Sequence, residues 1–200
     1  MTKIKICGLT RIEDTEYVNE VLPEYIGFVF WEKSRRNVSY EDAKKLREVI
    51  DDRIISVGVF VDADIEFIGR LVRDKIISVV QLHGKETDET IASIRNIVPT
   101  DTIIVKAFEV TSEADVEMAN KSSADMVLID SGKGSGKTFD WNLLERINRE
   151  YFLAGGLSIE NVGEAVSKLH PCVVDVSSKV ETDGFKDRKK IKEFCEAVRS

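Results

Sequence analysis

The chain has 200 residues, which is the size of one ordinary domain and enough to bury a large apolar core. Its 29 Lys and Arg against 36 Asp and Glu give a formal net charge of −7, and this acidity argues against nucleic-acid or anionic-membrane partners. Three cysteines are too few for a disulfide framework, and no apolar stretch approaches the roughly 20 residues of a membrane span. We therefore expect a single domain over residues 1–200 of a cytoplasmic protein.

One pattern repeats along the chain: a short apolar, β-branched run, a polar turn and then an amphipathic stretch. Near-continuous apolar runs are typical of parallel strands that are covered on both faces. The predicted strands, in chain order, are Lys3–Cys7, Ile26–Phe30, Ile54–Val61, Ile76–Leu82, Thr102–Ala107, Met126–Asp130, Tyr151–Ala154 and Cys172–Val176.

Apolar residues recur with helical spacing between these runs. Thr10 and Glu13 have the spacing of a capping box, which predicts the start of the first helix. Asp140 is the predicted N-cap of a shorter helix over Trp141–Arg149. Eight strand–helix units match an α/β fold, a closed (β/α)8 barrel with eight parallel strands and outer helices, and an open doubly wound sheet is the alternative.

Reactive residues concentrate at the carboxyl ends of the predicted strands, where such a barrel carries its active site. Cys7 ends the first strand, and it is either a small core residue or a thiolate base that needs an electropositive setting, such as a helix N-terminus. Asp130 ends the sixth strand, where it either serves a turn or acts as a general acid with a raised pKa. Facing each other across the barrel mouth, the two residues could move protons to and from one substrate.

The loops after the seventh and eighth strands have the features of an anion site. Gly155 and Gly156 leave backbone amides accessible near a helix N-terminus, and Ser177 and Ser178 follow the eighth strand. Because phosphate sites of these barrels form in the same two loops, we predict that a phosphate binds there.

Three charged or Gly-rich features have two interpretations each. Arg35 and Arg36 are either solvated or a fork that holds a substrate carboxylate with two hydrogen bonds. Lys106 is either catalytic or a barrel lysine paired with a carboxylate. The stretch Ser131–Thr138 is close to the nucleotide-binding pattern G-x4-G-K-[ST], but Phe139–Trp141 starts a new helix cap directly after it, which argues against nucleotide hydrolysis.

Six motifs in chain order resemble those of the phosphoribosylanthranilate isomerase family. They are KICGLT at Lys5–Thr10, VGVF at Val57–Phe60, QLHG at Gln81–Gly84, DS with TFDW at Asp130–Trp141, LAGGL at Leu153–Leu157 and DVSS with VE at Asp175–Glu181. The resemblance implies a TIM barrel without metal or cofactor. Its reaction would be the Amadori rearrangement of N-(5'-phosphoribosyl)anthranilate to 1-(2-carboxyphenylamino)-1-deoxyribulose 5-phosphate in tryptophan biosynthesis.

The resemblance also implies roles for individual residues in the reaction. Asp130 would be the general acid that protonates the ring oxygen, and Cys7 the general base that removes the C2 proton. Arg36 would hold the anthranilate carboxylate. Gln81 and His83 would be further substrate contacts at the end of the fourth strand.

The phosphate would be bound by backbone amides of the two loops, and the residues concerned are Gly155, Gly156, Ser177, Ser178 and Lys179. Asp175 would hold a sugar hydroxyl or order the second loop. Lys179 stands where the family usually has glycine, whose positive φ a lysine rarely adopts, although its ammonium would add a charge near the phosphate.

Two other functions remain open at this stage: another phosphosugar isomerase or epimerase barrel, and a phosphate-ligand binding barrel without catalysis. A metal-dependent epimerase needs His and carboxylate ligands at strand ends, and the chain has two histidines, of which His170 lies away from that face. We expect a small phosphoribosyl substrate, no nucleic-acid or membrane partner, and a monomer or homodimer.

Overall fold

The computed structural model describes residues 1–130 and 141–200. Eight parallel strands pair in chain order, and the first also pairs with the eighth, so the sheet closes into a barrel. The strands are β1 (Lys3–Cys7), β2 (Tyr25–Phe30), β3 (Ile55–Phe60), β4 (Val79–Leu82), β5 (Ile103–Glu109), β6 (Met126–Asp130), β7 (Tyr151–Ala154) and β8 (Val173–Val176). The predicted (β/α)8 barrel is confirmed, and the open sheet is wrong.

Helices cover the outside of the barrel. They are α1 (Ile12–Val21), α2 (Tyr40–Val49), α3 (Ile65–Arg73), α4 (Asp88–Arg95), α5 (Glu113–Lys121), α6 (Val162–Leu169) and α7 (Arg188–Arg199), with 3₁₀ helices at Trp141–Arg146 and Ser178–Val180. A short antiparallel hairpin, β9 (Glu181–Thr182) and β10 (Phe185–Lys186), precedes α7. None of the helices in the described part of the chain has the length and apolarity of a membrane span.

The predicted strand limits agree with the structure for β1, β6 and β7 and differ elsewhere by a few residues. β4 begins at Val79 instead of Ile76, because Ile76 and Ile77 form the buried turn after α3 and donate their amides to a carbonyl of that helix. β5 continues to Glu109, two residues beyond the predicted end. An apolar run alone does not distinguish a strand from a buried turn that leads into it.

The short helix after β6 differs in type from the predicted one. The helix predicted after β6 is a 3₁₀ helix, Trp141–Arg146, and its predicted N-cap, Asp140, lies outside the described residues, as does the Gly-rich stretch Ser131–Thr138.

The predicted capping box of Thr10 and Glu13 is wrong by one residue. The carboxylate of Asp14 accepts from the amides of Thr10 and Arg11 at 2.9 and 3.0 Å and from the guanidinium of Arg11. Asp14 is fully buried, whereas Glu13 is exposed. Asp14 therefore anchors the start of α1, just after the strand that ends in Cys7.

Two apolar layers form the core. The larger one lies between the barrel wall and the helices. The smaller one fills the barrel interior and comprises Tyr25, Val57, Val79, Val105, Leu128, Phe152, Ala154 and Val173. Because side chains alternate along a strand, the inward residues beyond this layer at the carboxyl ends form the floor of the barrel mouth.

Lys106 points away from that mouth. It lies between Val105 and Ala107, which face the interior, and its Nζ donates to Oε2 of Glu86 at 3.1 Å and to the carbonyl oxygen of Gly84 at 2.8 Å. Of the two interpretations, the lysine paired with a carboxylate is therefore the one the structure supports.

Candidate active site

Cys7 ends β1, and its side chain is buried against β2. Its Cα partner in β2 is Gly27, and a Cβ at Gly27 would lie 2.7 Å from Sγ of Cys7. A glycine in the strand interior therefore leaves the room that the thiol occupies. The hydroxyl of Ser177 donates to the carbonyl oxygen of Cys7 at 3.0 Å, which joins the end of β1 to the segment after β8.

A buried ion pair lies one inward-facing position below this thiol. Lys5 of β1 and Asp175 of β8 are Cα partners, and Nζ lies 2.8 Å from Oδ2. Among the described residues, Oδ1 of Asp175 has no hydrogen-bond partner. An unpaired buried carboxylate oxygen is costly, so Oδ1 is an acceptor that a hydroxyl of a bound ligand can satisfy.

The charges around Cys7 act on its ionisation in opposite directions. Burial raises the pKa of the Cys7 thiol, and Asp175 raises it further, whereas the ammonium groups of Lys5 and Lys186 lower it. Burial lowers the pKa of Lys5, but the charges of Asp175 and Cys7 raise it overall, so Lys5 stays protonated. The pKa of Cys7 is nevertheless raised overall because burial outweighs the two lysines, so the electropositive setting expected for a thiolate base is supplied only in part.

Asp130 ends β6 with His83 beside it. Nε2 of His83 lies 3.7 Å from Oδ2 of Asp130, and Nε2 of Gln81 donates to Nδ1 of His83 at 3.0 Å. Gln81 therefore orients the imidazole ring of His83. Burial raises the pKa of Asp175, and the nearby charge of Asp130 raises it further, whereas Lys5 and the charge of His83 lower it.

A cavity of about 630 Å³ opens among these strand ends, a size typical of small-molecule sites. Arg36, His83 and Asp130 line it together with Glu109. Its apolar wall is formed by Val29, Trp31, Val59, Val61 and Ala107. The cavity therefore combines a cation, two carboxyl groups and an apolar surface.

Arg36 is held at this cavity by Glu181. Nε and Nη2 of Arg36 donate to the two carboxylate oxygens of Glu181 at 2.6 and 2.9 Å. Gly8, with φ of +85°, packs against the Arg36 side chain so closely that a Cβ there would clash with its Cδ. Glu181 thus occupies one edge of the predicted arginine fork. The protons of Nη1 and the second proton of Nη2 can donate to a ligand carboxylate.

The two predicted phosphate loops follow neighbouring strands, β7 and β8. Gly155 and Gly156 have φ of +89° and +69°, and open space surrounds the position of a Cβ at Gly156. After β8, the first amides of the 3₁₀ helix Ser178–Val180 have no acceptor within that helix. Backbone amides of both segments are therefore suited to an anion, whereas the Ser177 hydroxyl is turned towards Cys7.

Lys179 is the middle residue of this 3₁₀ helix, and its side chain is exposed. A 3₁₀ helix has negative φ, so the conflict expected from the missing glycine does not arise. The pKa of Glu160, in the loop after β7, is lowered first by the hydroxyl of Ser158 and also by the charge of Lys179. The ammonium therefore stands beside the predicted phosphate loops.

Three residues of this region were missed as site residues by the sequence analysis. Glu109 lines the cavity next to Asp130, its Cα partner, but lies beyond the predicted end of its strand. Glu181 was quoted only as a motif residue, and Lys186, whose Nζ donates to Glu181 at 2.7 Å, falls in a stretch without strand or helix pattern. A buried charge in a short hairpin has no periodic signal that could have revealed it.

Within residues 1–130 and 141–200, no group of three or more His, Cys, Asp and Glu side chains is arranged to hold a metal ion. That the reaction needs no metal or cofactor stays a prediction.

Comparison with known proteins decides the family of the chain. Residues 4–197 match the family model of N-(5'phosphoribosyl)anthranilate (PRA) isomerase. The chain belongs to the N-(5'-phosphoribosyl)anthranilate isomerase family. It is therefore an isomerase, and the family inferred from the six motifs is confirmed.

Similar proteins cover the chain from end to end. The N-(5'-phosphoribosyl)anthranilate isomerase of Endomicrobium trichonymphae is 44% identical over 100% of both chains. The crystal structure of the isomerase from Thermotoga maritima matches with a TM-score of 0.90 and 37% identity, covering 100% of this chain and 99% of that one. An isomerase crystallised with reduced 1-(o-carboxyphenylamino)-1-deoxyribulose 5-phosphate matches with a TM-score of 0.87, 36% identity and the same coverage.

Proposed function

We propose that this isomerase performs its reaction, the Amadori rearrangement of N-(5'-phosphoribosyl)anthranilate in tryptophan biosynthesis, with Asp130 as general acid and Cys7 as general base. One observation carries the proposal: Cys7 and Asp130 end two strands at the mouth of the same barrel. The carboxylate of Asp175 lies at the same mouth. Anion-binding groups flank them on both sides. The substrate carries a phosphate at one end and a carboxylate at the other, which matches these two groups.

The phosphate would bind to backbone amides of Gly155, Gly156, Ser178 and Lys179. The positive φ of the two glycines and the open space at Gly156 support close approach of an anion to the backbone. The first amides of a 3₁₀ helix and the ammonium of Lys179 add donors and positive charge. An overall acidic protein can in this way bind a phosphate through local groups.

The anthranilate moiety would occupy the cavity at the other side of the mouth. Its carboxylate would accept hydrogen bonds from the donors of Arg36 that Glu181 leaves available. Its ring would pack on the apolar wall that includes Trp31 and Val59. The ribose then spans the distance to the phosphate loops, and Oδ1 of Asp175 would accept a hydrogen bond from a sugar hydroxyl.

The reaction needs two proton transfers in opposite directions. The carboxyl group of Asp130 gives its proton to the ring oxygen of the furanose, the C1–O bond breaks and an imine forms. The thiolate of Cys7 then removes the proton from C2, and the resulting enolamine tautomerises to the ketone. His83, whose Nε2 lies 3.7 Å from Asp130, and Gln81, which orients that ring, would support the acid.

The base must ionise before it can accept this proton. Burial works against the thiolate because it raises the pKa of Cys7, and the lysines at positions 5 and 186 favour it. Burial outweighs these two cations and leaves the pKa of Cys7 above its usual value, so the lysines reduce the cost of the thiolate without removing it.

The test replaces each group separately and follows the loss of anthranilate fluorescence, with the substrate made in situ. We expect Cys7→Ala and Asp130→Asn each to lower kcat about 10²–10⁴-fold, the usual worth of one proton-transfer group. Circular dichroism should show folded proteins. Matched controls are Cys172→Ala, at the amino end of β8, and Asp52→Asn, an exposed aspartate. Near-normal turnover in either site variant would contradict the role assigned to that residue.

The proposal extends to the setting of the enzyme. Its three cysteines are unpaired, which supports a cytoplasmic enzyme in a reducing compartment. That it is a monomer or a homodimer stays a prediction, and sedimentation velocity of the purified protein distinguishes the two states.

A further inference from the structure

Glu181 is a buried carboxylate surrounded by three cations. It lies at the start of the β9–β10 hairpin with 8% of its surface exposed. Arg36 binds both of its oxygens, Arg35 binds Oε2 at 2.7 Å, and Lys186 binds Oε1 at 2.7 Å. None of the proposed chemistry uses this carboxylate, although it contacts the side chain assigned to the substrate carboxylate.

Glu181 remains charged in this setting. Burial raises its pKa, but the hydrogen bonds and charges of Arg36 and Lys186 lower it overall. Three cations and one carboxylate leave a local charge of +2 within a chain of net charge −7. The cluster can therefore fix the direction of Arg36 and still attract a substrate carboxylate.

Lys186 fixes Glu181 from the opposite side. Its side chain is 1% exposed, and besides Glu181 its Nζ contacts the carbonyl oxygen of Ser177 at 3.1 Å. The hydroxyl of Ser177 in turn donates to the carbonyl oxygen of Cys7. The orientation of Glu181 is thus linked through Lys186 to the backbone that follows β8.

We propose that Glu181 is a positioning residue that holds the guanidinium of Arg36 in the direction required to bind the carboxylate of the substrate. A long arginine side chain in a loop loses conformational freedom when it binds a ligand, and a fixed partner removes that cost in advance. The inference rests on the proposed role of Arg36. Glu181 itself touches no reacting atom.

A second arginine–glutamate pair provides a matched comparison. Arg188 contacts both oxygens of Glu20 at 2.7 Å, so its geometry is equally bidentate. Both side chains are largely exposed there, at 66% and 46%, on the outer helices α7 and α1. Surface pairs of this kind contribute little, so Glu20→Gln controls for the loss of one bidentate carboxylate.

The experiment measures the affinity of two ligands by calorimetry. One is reduced 1-(2-carboxyphenylamino)-1-deoxyribulose 5-phosphate, and the other is the same molecule without the carboxylate. We expect Glu181→Gln and Arg36→Met each to weaken the carboxylate ligand about 10-fold or more, as for a hydrogen bond to a charged group, and the second ligand less than about 3-fold. Glu20→Gln should leave both affinities unchanged.

The outcomes separate the inference from the proposed function. Equal losses for both ligands in Glu181→Gln, or tighter binding of the carboxylate ligand, would overturn the positioning role. If Arg36→Met itself shows no preference between the ligands, the role of Arg36 fails, and the inference fails with it. Because Glu181→Gln leaves buried cations less well paired and could reduce folding, Glu181→Asp serves as a second variant. It keeps the charge but shortens the side chain, so we expect a smaller loss confined to the carboxylate ligand.

Discussion

Lys5 of β1 and Asp175 of β8 are paired across the closure of the barrel, with Nζ 2.8 Å from Oδ2 and both side chains buried. Cys7 lies at the next inward-facing position of β1. An isolated ammonium would be costly in this interior, and the carboxylate makes it tolerable. The closure of the barrel thereby brings a permanent positive charge next to the proposed base.

Lys5→Met should make Cys7 harder to ionise. The variant removes the cation that lowers the pKa of the thiol and leaves burial and Asp175, both of which raise it. We expect alkylation of Cys7 by iodoacetamide at pH 8 to slow about 10-fold, the effect of a one-unit rise in pKa. Mass spectrometry identifies which cysteine is alkylated. The pH dependence of kcat/KM should shift to higher pH, as expected for a base with a higher pKa.

The exposed lysine of the same strand is the control for this variant. Lys3→Met should alkylate at the wild-type rate. The loss of Lys5 also leaves Asp175 unpaired, so stability should fall by about 3–5 kcal/mol, and the assays belong at a temperature where urea titration shows folded protein. An unchanged alkylation profile in folded Lys5→Met would refute the electrostatic role.

Gly27→Ala should displace the thiol of Cys7. The new Cβ would lie 2.7 Å from Sγ and 3.2 Å from Cα of Cys7, so one of the two strands must move. A misplacement of about 1 Å can cost about 10²-fold in rate, and overpacking costs about 1–3 kcal/mol of stability. We therefore expect kcat to fall far more than KM rises.

The same substitution in α6 provides the comparison. The nearest atom to a Cβ at Gly163 is the carbonyl oxygen of Ala197 at 3.9 Å, so Gly163→Ala has space. It should retain full activity and gain about 0.5–1 kcal/mol of stability as a helical glycine replaced by alanine. Wild-type kcat in Gly27→Ala would show that the position of the thiol is not critical.

Much of this architecture could be predicted from the sequence because it rests on local patterns. The apolar runs identified all eight strands, and their carboxyl ends led to Cys7 and Asp130. Patterns were less informative at element ends. Ile76 and Ile77 are as apolar as a strand but form a turn, and β5 continues beyond its predicted end to the charged residue Glu109.

The partner of Arg36 could not be predicted in this way. Glu181 lies 145 residues further along the chain, and the two meet only because β1 and β8 close the barrel and the hairpin after β8 turns back over its mouth. From the sequence, the arginine fork was expected either to be solvated or to hold a substrate carboxylate with two hydrogen bonds. Long-range ion pairs of this kind carry no periodic signal and depend on the complete fold.

The stability of the protein should fall as the pH rises above 9. Burial raises the pKa of Cys195 to about 11, because this cysteine of α7 is packed in the core. In the unfolded chain the thiol loses its proton at lower pH than in the folded protein. Between the two pKa values of this thiol, the folded state therefore binds more protons than the unfolded state. The stability contributed by the protonated thiol is complete below the unfolded pKa and is lost as the pH rises through the folded pKa.

Cys195→Ala isolates this contribution. Urea titrations at pH 8 and pH 11 should show the wild type losing up to about 2 kcal/mol more than the variant, from a shift of about two pKa units. The variant creates a small cavity and is less stable at both pH values, so only the difference between the two pH values is compared. Equal pH dependence in the two proteins would mean that the thiol ionises normally.

Lys179→Met should weaken substrate binding without affecting the chemical step. The side chain is exposed at the proposed phosphate loops, and its charge reaches the loop after β7. One charge contact at about 4 Å in water corresponds to roughly a 5-fold change in affinity, so KM should rise about 2- to 5-fold at low salt with kcat unchanged. At 0.5 M NaCl the difference should nearly vanish, because salt screens exposed charges. Lys189→Met, on α7, removes another exposed charge and should leave KM unaltered. A KM ratio between Lys179→Met and the wild type that does not depend on salt would show that the side chain acts through the shape of the loop, and its ammonium would then have no part in holding the phosphate.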